Sequence, residues 1–493
     1  MKADLCVPHM VFSSTIFLFV FLPLVLLSYL VVSRKFRNLL LLTASLIFYA
    51  WGENIYVLLM LVSIALNYSF GLLIDRAKQR GWSARVPLGC ALVANLGLLG
   101  FFKYANFLVD NLNTVLVNID LATVELQTVH LPIGISFFTF QALSYVVDVY
   151  RGHASVQKNP VHVALYISLF PQLIAGPIVR YHDVAEQIVR RMTRFDDFAY
   201  GIRRFIIGLG KKVLVANVLG RTADYIFSLP AETIPAGLAW IGAISYTLQI
   251  YYDFSGYSDM AIGLGRMFGF RFLENFNYPY AAQSMREFWR RWHISLSSWF
   301  RDYLYIPLGG NRHGGLRTHF NLLIVFFLCG LWHGASWTFV VWGLYHGGFL
   351  VLERLRPINT VLEALPRVLR HAYVVLAVVV GWVFFRAETF SYAIGYLQAM
   401  VTFTTPPFYN SQLFLIINNE FWLTLVVAII CSAPVMRGLA RTYSILEGKA
   451  VSSGMIYGYV LSIGAVVFFG FVLSYSVASL MGGAYNPFLY FRF

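Results

Sequence analysis

One histidine, His333, lies inside a long uncharged segment of the chain. The segment runs from 318 to 352, between Arg317 and Glu353, and contains no Asp, Glu, Lys or Arg. It exceeds the roughly 20 apolar residues that a membrane-spanning helix needs, so His333 is expected at membrane depth. An ionisable side chain at that depth usually faces protein or a water-filled cavity. An apolar site favours the neutral imidazole, which can take a proton from a hydroxyl group, so the pattern indicates a general base. The alternative is a histidine that only hydrogen-bonds a neighbouring helix.

The residues beside His333 are suited to a closely packed pocket. Gly330 and Gly334 let neighbouring backbones approach, and Trp332 supplies a rigid wall, so we count Trp332 as a candidate substrate-binding residue. No spacing nearby indicates a Ser-His-Asp hydrolase. His346, towards the end of the uncharged segment, is interpreted as a packing residue.

A second group of polar residues surrounds the sequence RRWHIS at 290–295. It contains Arg291 and His293, and Asp302 and Asn311 follow soon after. Because arginine can bind a phosphate through two hydrogen bonds, this group could receive a phosphorylated, acyl-carrying donor. The alternative is an interfacial helix that tryptophan and arginine anchor at lipid headgroups, and the residue pattern by itself favours that alternative.

A third group occupies the sequence YYDFSGYSD at 251–259, where an apolar span is expected to end. Asp253 and Asp259 could bind a cation, orient a base or pair with the arginines between 290 and 312. Ion pairing is the favoured interpretation. Asp253 and Tyr257 are kept as candidate substrate-binding residues.

The composition is that of a membrane protein. Only 12% of the 493 residues are charged and 58% are hydrophobic, whereas soluble domains carry about 25% charged residues. The sequence therefore predicts an all-α polytopic membrane protein with roughly ten to twelve hydrophobic elements. The net charge of +14 is explained first by basic loops that face anionic lipid, and it is compatible with an anionic substrate such as a coenzyme A ester. Nucleic-acid binding is not favoured, because the basic residues lie between apolar spans.

The order of apolar and basic stretches predicts the topology. Two basic loops, 33–37 and 75–85, flank an apolar hairpin that turns at 51–54, so both loops are expected in the cytoplasm. Two prolines and a glycine interrupt the apolar run 161–179, which predicts a broken or re-entrant helix. Parts of the basic stretch 180–221 are interpreted as amphipathic helices along the inner surface.

A polar stretch from 253 to 317 is interpreted as a cytoplasmic-side interfacial segment of a single domain that covers 1–493. Within it, 285–301 is predicted to be a helix whose three tryptophans lie at the membrane interface. Residues 1–9 are interpreted as an N-terminal extension. The four cysteines show no CxxC or Cys/His pattern, so neither a metal site nor a disulfide framework is expected.

These motifs together resemble the membrane-bound O-acyltransferase (MBOAT) family, in its branch of bacterial alginate, cellulose and peptidoglycan O-acetyltransferases and teichoic-acid D-alanylation proteins. The resemblance covers nearly the whole chain, with the motifs in the family's order. The segments that carry it are MVFSS (10–14), FFKYANF (101–107), LPIGISFFTFQALSY (131–145), FPQLIAGPIVRY (170–181), YDFSGYSDMAIGLG (252–265), NFNYPY (275–280), EFWRRWHISLSSWFRDYLYIPLGGNR (287–312), GLWHGASWTF (330–339) and NPFLYFRF (486–493).

The resemblance implies a fold, a site and partners. The fold would be a ring of helices around a tunnel, with broken and interfacial helices, in the bacterial inner membrane. His333 matches the family's catalytic histidine and His293 its second histidine, while Arg291 and Asp302 would help to position the donor. The implied donor is acetyl-coenzyme A, with no bound cofactor. The implied partners are a periplasmic SGNH-type acetyltransferase and the complex that makes and secretes the polysaccharide.

Two other functions remain open at this point. A proton-coupled transporter would explain a buried histidine and the helix breakers, but not the arginine- and tryptophan-rich helix at 285–301. A family member with another payload or acceptor, such as D-alanine or peptidoglycan, is also compatible, because the sequence does not give the width of the pocket. The expected function is membrane O-acetylation of an exopolysaccharide such as alginate or cellulose.

Overall fold

Helices make up the regular structure of the residues that the computed structural model describes, which are 10–402, 411–435, 437–438, 442, 456–483 and 485–487. No strand occurs among them, so the all-α polytopic class is confirmed. The extension at 1–9 and most of the motif at 486–493 lie outside the described residues. Five helical segments have the length and apolar composition to cross a membrane: 34–79, Arg85–Asn118, Gly314–His333, Arg367–Arg386 and Val460–Met481. Three shorter apolar helices are Phe17–Val31, Trp337–Leu352 and Asn419–Ser432.

The first part of the described chain forms four α-helices. A π-helical turn at Phe17–Phe21 leads into α1, and the helices that follow are α1 (Leu22–Val31), α2 (Arg37–Glu53), α3 (Val57–Gln79) and α4 (Arg85–Asn118). Asn54, with φ 44° and ψ −111°, follows α2 and begins a 3₁₀ turn, Asn54–Tyr56, that leads into α3. The expected turn at 51–54 is therefore largely helical.

The interrupted apolar run forms broken helices, as expected. The elements here are α5 (Ile135–Arg151), α6 (Pro160–Ser168), α7 (Phe170–Leu173) and α8 (Tyr181–Val189). The non-helical residues 174–179 are buried, and they lie beside Gly134 at the start of α5. A Cβ at Gly134 would lie 2.9 Å from the carbonyl oxygen of Leu173, so glycine allows this close approach. The helix pair α2 and α3 is splayed, because α2 packs mainly on α6 and α3 mainly on α5.

Much of the basic stretch packs along one long buried helix, while the placement of parts of it as amphipathic helices along the inner surface stays a prediction. Helix α9 (Phe195–Gly210), a π-helical segment (Lys211–Ala216) and α10 (Asn217–Phe227) form one helical run along α11 (Ala236–Met267). Helix α11 continues through Asp253 and Asp259, where the sequence indicated the end of a span. The acids can lie within this buried helix because bases from residues 204–212 pair with them.

The predicted helix 285–301 is broken, and its tryptophans are buried. It consists of α12 (Met285–Arg291) and α13 (Ile294–Phe300), and the break is at His293, which has a φ of 42°. Instead of facing lipid, the tryptophan rings pack on other helices: Trp292 lies 4.8 Å from Trp382 and Trp299 lies 3.7 Å from Phe140, between ring centroids. The interfacial placement of these three tryptophans was therefore wrong, since aromatic partners within the protein replace the lipid interface.

The uncharged segment forms a tight helical hairpin. Helix α14 (Gly314–His333) turns back through residues 334–336 into α15 (Trp337–Leu352). The two helices meet at glycines, with the Cα of Gly330 only 3.1 Å from where a Cβ of Gly343 would lie. The remaining helices are α16 (Arg356–Ala364), α17 (Arg367–Arg386), α18 (Phe390–Val401), α19 (Ser411–Ile416), α20 (Asn419–Ser432) and α21 (Ile456–Met481).

The hairpin predicts a strong positional contrast between two glycines of α15. A Cβ at Gly343 would lie 2.2 Å from the carbonyl oxygen of Phe326, whereas one at Gly348 meets nothing within 4 Å. We expect Gly343→Ala to lower the free energy of unfolding by about 1–3 kcal/mol, because the backbones must separate. The matched control Gly348→Ala should leave it unchanged or higher. Thermal unfolding in detergent measures both, and equal melting temperatures would contradict the close helix contact.

Candidate active site

His333 is the last residue of α14 and lies among aromatic rings. The helix ends there because Gly334 adopts an extended conformation, with φ −165° and ψ 152°. The imidazole centroid lies 5.0 Å from the ring of Trp342 and 5.1 Å from the ring of Phe385. The residue is 6% exposed, so it is buried but not sealed.

Helix α4 holds the end of α14 in place through two adjacent side chains. Lys103 Nζ donates to the carbonyl oxygens of Trp332 and His333, the latter at 3.3 Å, and Tyr104 donates to the carbonyl of Leu331 at 2.8 Å. The last carbonyls of a helix have no partner within the helix, and its C-terminal end carries partial negative charge. The ammonium group of Lys103 therefore both satisfies these carbonyls and fixes the backbone of His333.

Lys103 is a functional candidate that the sequence interpretation missed. It is buried, and it is the one charged residue between Arg85 and Asp110 in the sequence. A lysine inside an apolar helix is costly and usually marks a site, so the signal was present.

A small cavity reaches the imidazole. It has a volume of about 100 Å³, and we call it the His333 cavity. Its lining combines Lys103, Trp332 and His333 with the turn that precedes α5, residues 131–134. The volume suffices for a few water molecules or a small acyl group. His333 is therefore accessible from the side of the molecule where this turn lies.

A larger cavity approaches the same region from the arginine-rich side. This arginine cavity has a volume of about 390 Å³, and its polar lining includes four arginines: Arg286, Arg290, Arg301 and Arg354. Its apolar floor contains Trp289 and Cys329. Cys329 lies four residues before His333 on α14, which is about one helical turn. Trp289 contacts the ring of Trp342 at 5.7 Å, and Trp342 contacts His333, so one side chain separates this floor from the imidazole.

His293 and His333 both contact the ring of Trp332. The ring centroid of His293 is 6.1 Å from that of Trp332, which in turn is 5.1 Å from that of His333. The Nδ1 atom is 3.2 Å from Asn275 Oδ1, and the edge of the ring meets Phe254 at 4.5 Å. Among the described residues, the buried Nε2 atom has no hydrogen-bond partner. The structure therefore brings His293, Trp332 and His333 together, although the sequence predicted His293 in a separate group on the cytoplasmic side.

Asn311 lies at the rim of the arginine cavity. Its Oδ1 atom accepts a hydrogen bond from Arg354 at 3.2 Å and another from the hydroxyl of Tyr305. Both donors line the cavity. Asn311 therefore orients a lining arginine rather than contacting His333.

Arg291 and Asp302 form ion pairs outside the lining of both cavities. Arg291 pairs with Glu287 at 2.7 Å. Asp302 pairs with Arg180 and, at 2.7 Å, with Arg301. Burial of the Asp302 carboxyl opposes ionisation, but hydrogen bonds and charge from Arg301 and Arg180 hold its pKa below the usual range. Asp302 thus fixes Arg301 at the arginine cavity.

Asp253 and Tyr257 lie in α11, among the packed helices. Asp253 pairs with Lys212 at 2.5 Å, and the ring of Tyr257 stacks on Phe12 at 4.4 Å between centroids. Ion pairing of the acids is confirmed, although the bases come from residues 204–212 and not from the arginines after 290. Neither residue lines either cavity.

Two further histidines and an aspartate come close enough to be considered as metal ligands. Candidate ligand atoms of Asp148, His153 and His182 lie within 4.8 Å of one another. The Asp148 carboxylate already accepts hydrogen bonds from His182 Nδ1 at 2.8 Å and from the hydroxyl of Tyr303 at 2.7 Å. The hydrogen bond to Asp148 raises the pKa of His182, and burial opposes this. The geometry is that of a His–Asp pair.

His346 is buried among aromatic rings, as its interpretation as a packing residue requires. Its centroid lies 5.0 Å from Trp342 and 5.2 Å from Trp289. His346 therefore packs against Trp289 in the lining of the arginine cavity and against Trp342, which lies between Trp289 and His333.

Comparison with known proteins identifies the family. The membrane-bound O-acyltransferase family, MBOAT, matches residues 38–385. The chain is 44% identical to the probable alginate O-acetylase AlgI of Azotobacter vinelandii, over 98% of this chain and 100% of that protein. It is 49% identical to the AlgI of Pseudomonas aeruginosa, over 80% of this chain and 76% of that protein. It is also 37% identical to the peptidoglycan O-acetyltransferase of Helicobacter pylori, over 80% of each chain. The chain belongs to the membrane-bound O-acyltransferase family and is a multi-pass membrane O-acyltransferase of the branch that contains the alginate O-acetylases.

Proposed function

We propose that this protein transfers an acetyl group from acetyl-coenzyme A across the bacterial inner membrane for the O-acetylation of alginate. The observation that carries the proposal is that His333 lines one cavity and is linked through the ring of Trp342 to Trp289 in the lining of a second cavity of different character. One is small and adjoins the imidazole, and the other is larger and lined by arginines. The 44% identity to an alginate O-acetylase along almost the whole chain supports alginate as the polymer.

The arginine cavity fits the donor. A coenzyme A thioester has several phosphates at one end and a thin, uncharged arm that carries the acyl group. Among the described residues, the guanidinium groups of Arg286 and Arg290 form no ion pair, so they are available to phosphate. The apolar floor at Cys329 and Trp289 suits the uncharged arm.

His333 would act as the general base. The imidazole takes the proton of the acceptor hydroxyl while the hydroxyl oxygen attacks the thioester carbonyl carbon. A carbon–oxygen bond forms, the carbon–sulfur bond breaks, and the imidazolium returns the proton to the departing thiolate. Lys103 holds the backbone of His333, and the rings of His333 and His293 both contact Trp332. His293 is proposed to help position the thioester.

The acceptor would enter from the His333 cavity. We propose that a periplasmic SGNH-type partner protein takes the acetyl group on this side and passes it to the polymer within the secretion complex. The small volume of the cavity supports a short acyl group and a hydroxyl rather than a polymer chain. Peptidoglycan is the second candidate polymer, because a peptidoglycan O-acetyltransferase matches 80% of this chain.

Removal of one lining arginine tests whether the arginine cavity binds the donor. We expect Arg290→Ala to raise the KM for acetyl-coenzyme A by about tenfold or more with little change in kcat, because one phosphate contact is lost. The matched control is Arg317→Ala, since Arg317 is exposed on α14 and does not line the arginine cavity. Transfer of labelled acetyl groups by purified protein measures both variants.

Two outcomes would contradict the proposal. An unchanged KM in the Arg290 variant would remove the arginine cavity as the donor site. Uptake of a solute into proteoliposomes without any consumption of the thioester would instead favour the transporter.

A further inference from the structure

A basic pocket lies at the loop between α8 and α9, away from both cavities near His333. It has a volume of about 310 Å³, and we call it the 190–194 pocket. Four arginines line it: Arg190, Arg191, Arg194 and Arg271. Asp197 is the one acidic residue in the lining.

The charge of the 190–194 pocket is not balanced. Asp197 pairs with Arg266 at 2.6 Å and with Arg271 at 3.1 Å, so its charge is already shared between two arginines. Among the described residues, no carboxylate lies within ion-pair distance of Arg190, Arg191 or Arg194. Such a group of cations favours an anionic ligand.

Arg191 is held in a fixed position with part of its guanidinium unused. It donates to Asn38 Oδ1 at 2.6 Å and to the carbonyl of Phe268 at 3.0 Å, and it lies 4.3 Å from the ring centroid of Phe270. Within the described part of the chain, its buried Nη2 atom has no hydrogen-bond partner. Burial lowers the pKa of Arg191, so this cation lacks full compensation by water or by an acid. A fixed guanidinium of this kind is prepared for an oxygen anion.

Exposed apolar side chains accompany the arginines of the 190–194 pocket. Met192 lines the pocket and is 62% exposed. Val189 and Phe195, which flank the 190–194 loop in the sequence, are 54% and 83% exposed. Free phosphate has no apolar part that could contact these side chains, whereas a phospholipid presents acyl chains beside its phosphate.

We propose that the 190–194 pocket binds the phosphate group of an anionic phospholipid, with its acyl chains against Val189, Met192 and Phe195. The ligand chemistry is a phosphate, and these apolar side chains assign it to a lipid rather than to free phosphate. This site is independent of the proposed acyl transfer, because it shares no lining residue with either cavity near His333.

The test uses the full-length protein in uncharged detergent micelles. Thermal unfolding is followed during titration with phosphatidylglycerol, with phosphatidylcholine, and with inorganic phosphate. The variant is the double substitution Arg190→Gln with Arg194→Gln, because both side chains are exposed and their loss should not unfold the protein. The control is Arg85→Gln with Arg203→Gln, which removes the same charge from exposed arginines outside the pocket.

We expect phosphatidylglycerol to raise the melting temperature of the unsubstituted protein and of the control, with an apparent affinity about 30-fold weaker in the Arg190/Arg194 variant. Equal affinities in the variant and the control would overturn the pocket. The same rise with phosphatidylcholine would overturn the preference for an anion. A rise that inorganic phosphate alone saturates would overturn the assignment to lipid.

Discussion

His333→Ala should lower acetyl transfer by about 10³-fold or more while the protein remains in the membrane. The imidazole is the one titratable ring among the described residues that line the His333 cavity, and the other titratable group there, the Lys103 amine, is engaged with the backbone carbonyls of Trp332 and His333. Alanine leaves the carbonyl contacts of Lys103 intact, since these go to the backbone of residues 332 and 333. The fold should therefore survive the loss of the side chain.

The measurement is polymer O-acetylation in cells together with thioester consumption by purified protein. His333→Gln keeps a polar side chain of similar size, and it should be as inactive as alanine if proton transfer is the function. The matched control is His319→Ala, which removes a histidine of the same helix that lines neither cavity. Activity above one tenth of the unsubstituted level in either His333 variant would contradict the role of the base.

Lys103→Met should lower kcat by about 100-fold with little change in the donor KM. Methionine fills a similar volume but has no ammonium group, so the carbonyls of Trp332 and His333 lose their hydrogen-bond donor. The last turn of α14 then loses its fixed position, and the imidazole moves relative to both substrates. The donor KM should change little because Lys103 does not line the arginine cavity.

Two further substitutions test the Lys103 prediction by comparison. Tyr104→Phe removes one neighbouring hydrogen bond, to the carbonyl of Leu331, and should cost less than the lysine substitution. Lys158→Met is the control, because its side chain is exposed. Activity per folded molecule, counted by gel filtration, separates positioning from loss of protein. Full activity in the folded Lys103 variant would show that its contacts are not needed for catalysis.

The sequence predicted the features that follow from local patterns. The all-α membrane class and the apolar spans depend on composition. The break after Ser168 depends on nearby proline and glycine residues, which act within a few positions of the chain. His333 was identified because a titratable ring in an uncharged run is rare. Trp332 adjoins His333 in the sequence, whereas His293 was predicted in a separate group on the cytoplasmic side, and the structure shows that the three rings are neighbours.

The features that the sequence did not predict depend on distant partners. Helix α11 continues past Asp253 because Lys212, some 40 residues earlier in the sequence, neutralises the acid. Trp292 is buried because Trp382 packs against it from α17. The role of Lys103 depends on carbonyls more than 200 residues later in the sequence. Patterns within one segment do not specify such pairs.

The ion pairs between α9 and α11 also bear on biogenesis. Asp259 is shared by Arg204 at 2.6 Å and Lys211 at 2.7 Å, and Asp253 pairs with Lys212. Transferred singly from the translocon into lipid, each helix would carry unmatched charges, at about 2.5–3.5 kcal/mol for a single Asp, Lys or Arg near the helix centre. The helix with the bases is synthesised first, so its charges stay unmatched until α11 has been made. Pairing before entry into the bilayer would neutralise both acids and leave one positive charge in excess, since three bases face two acids. The short 228–235 connection, which keeps the two helices close together in the sequence, would favour this joint entry.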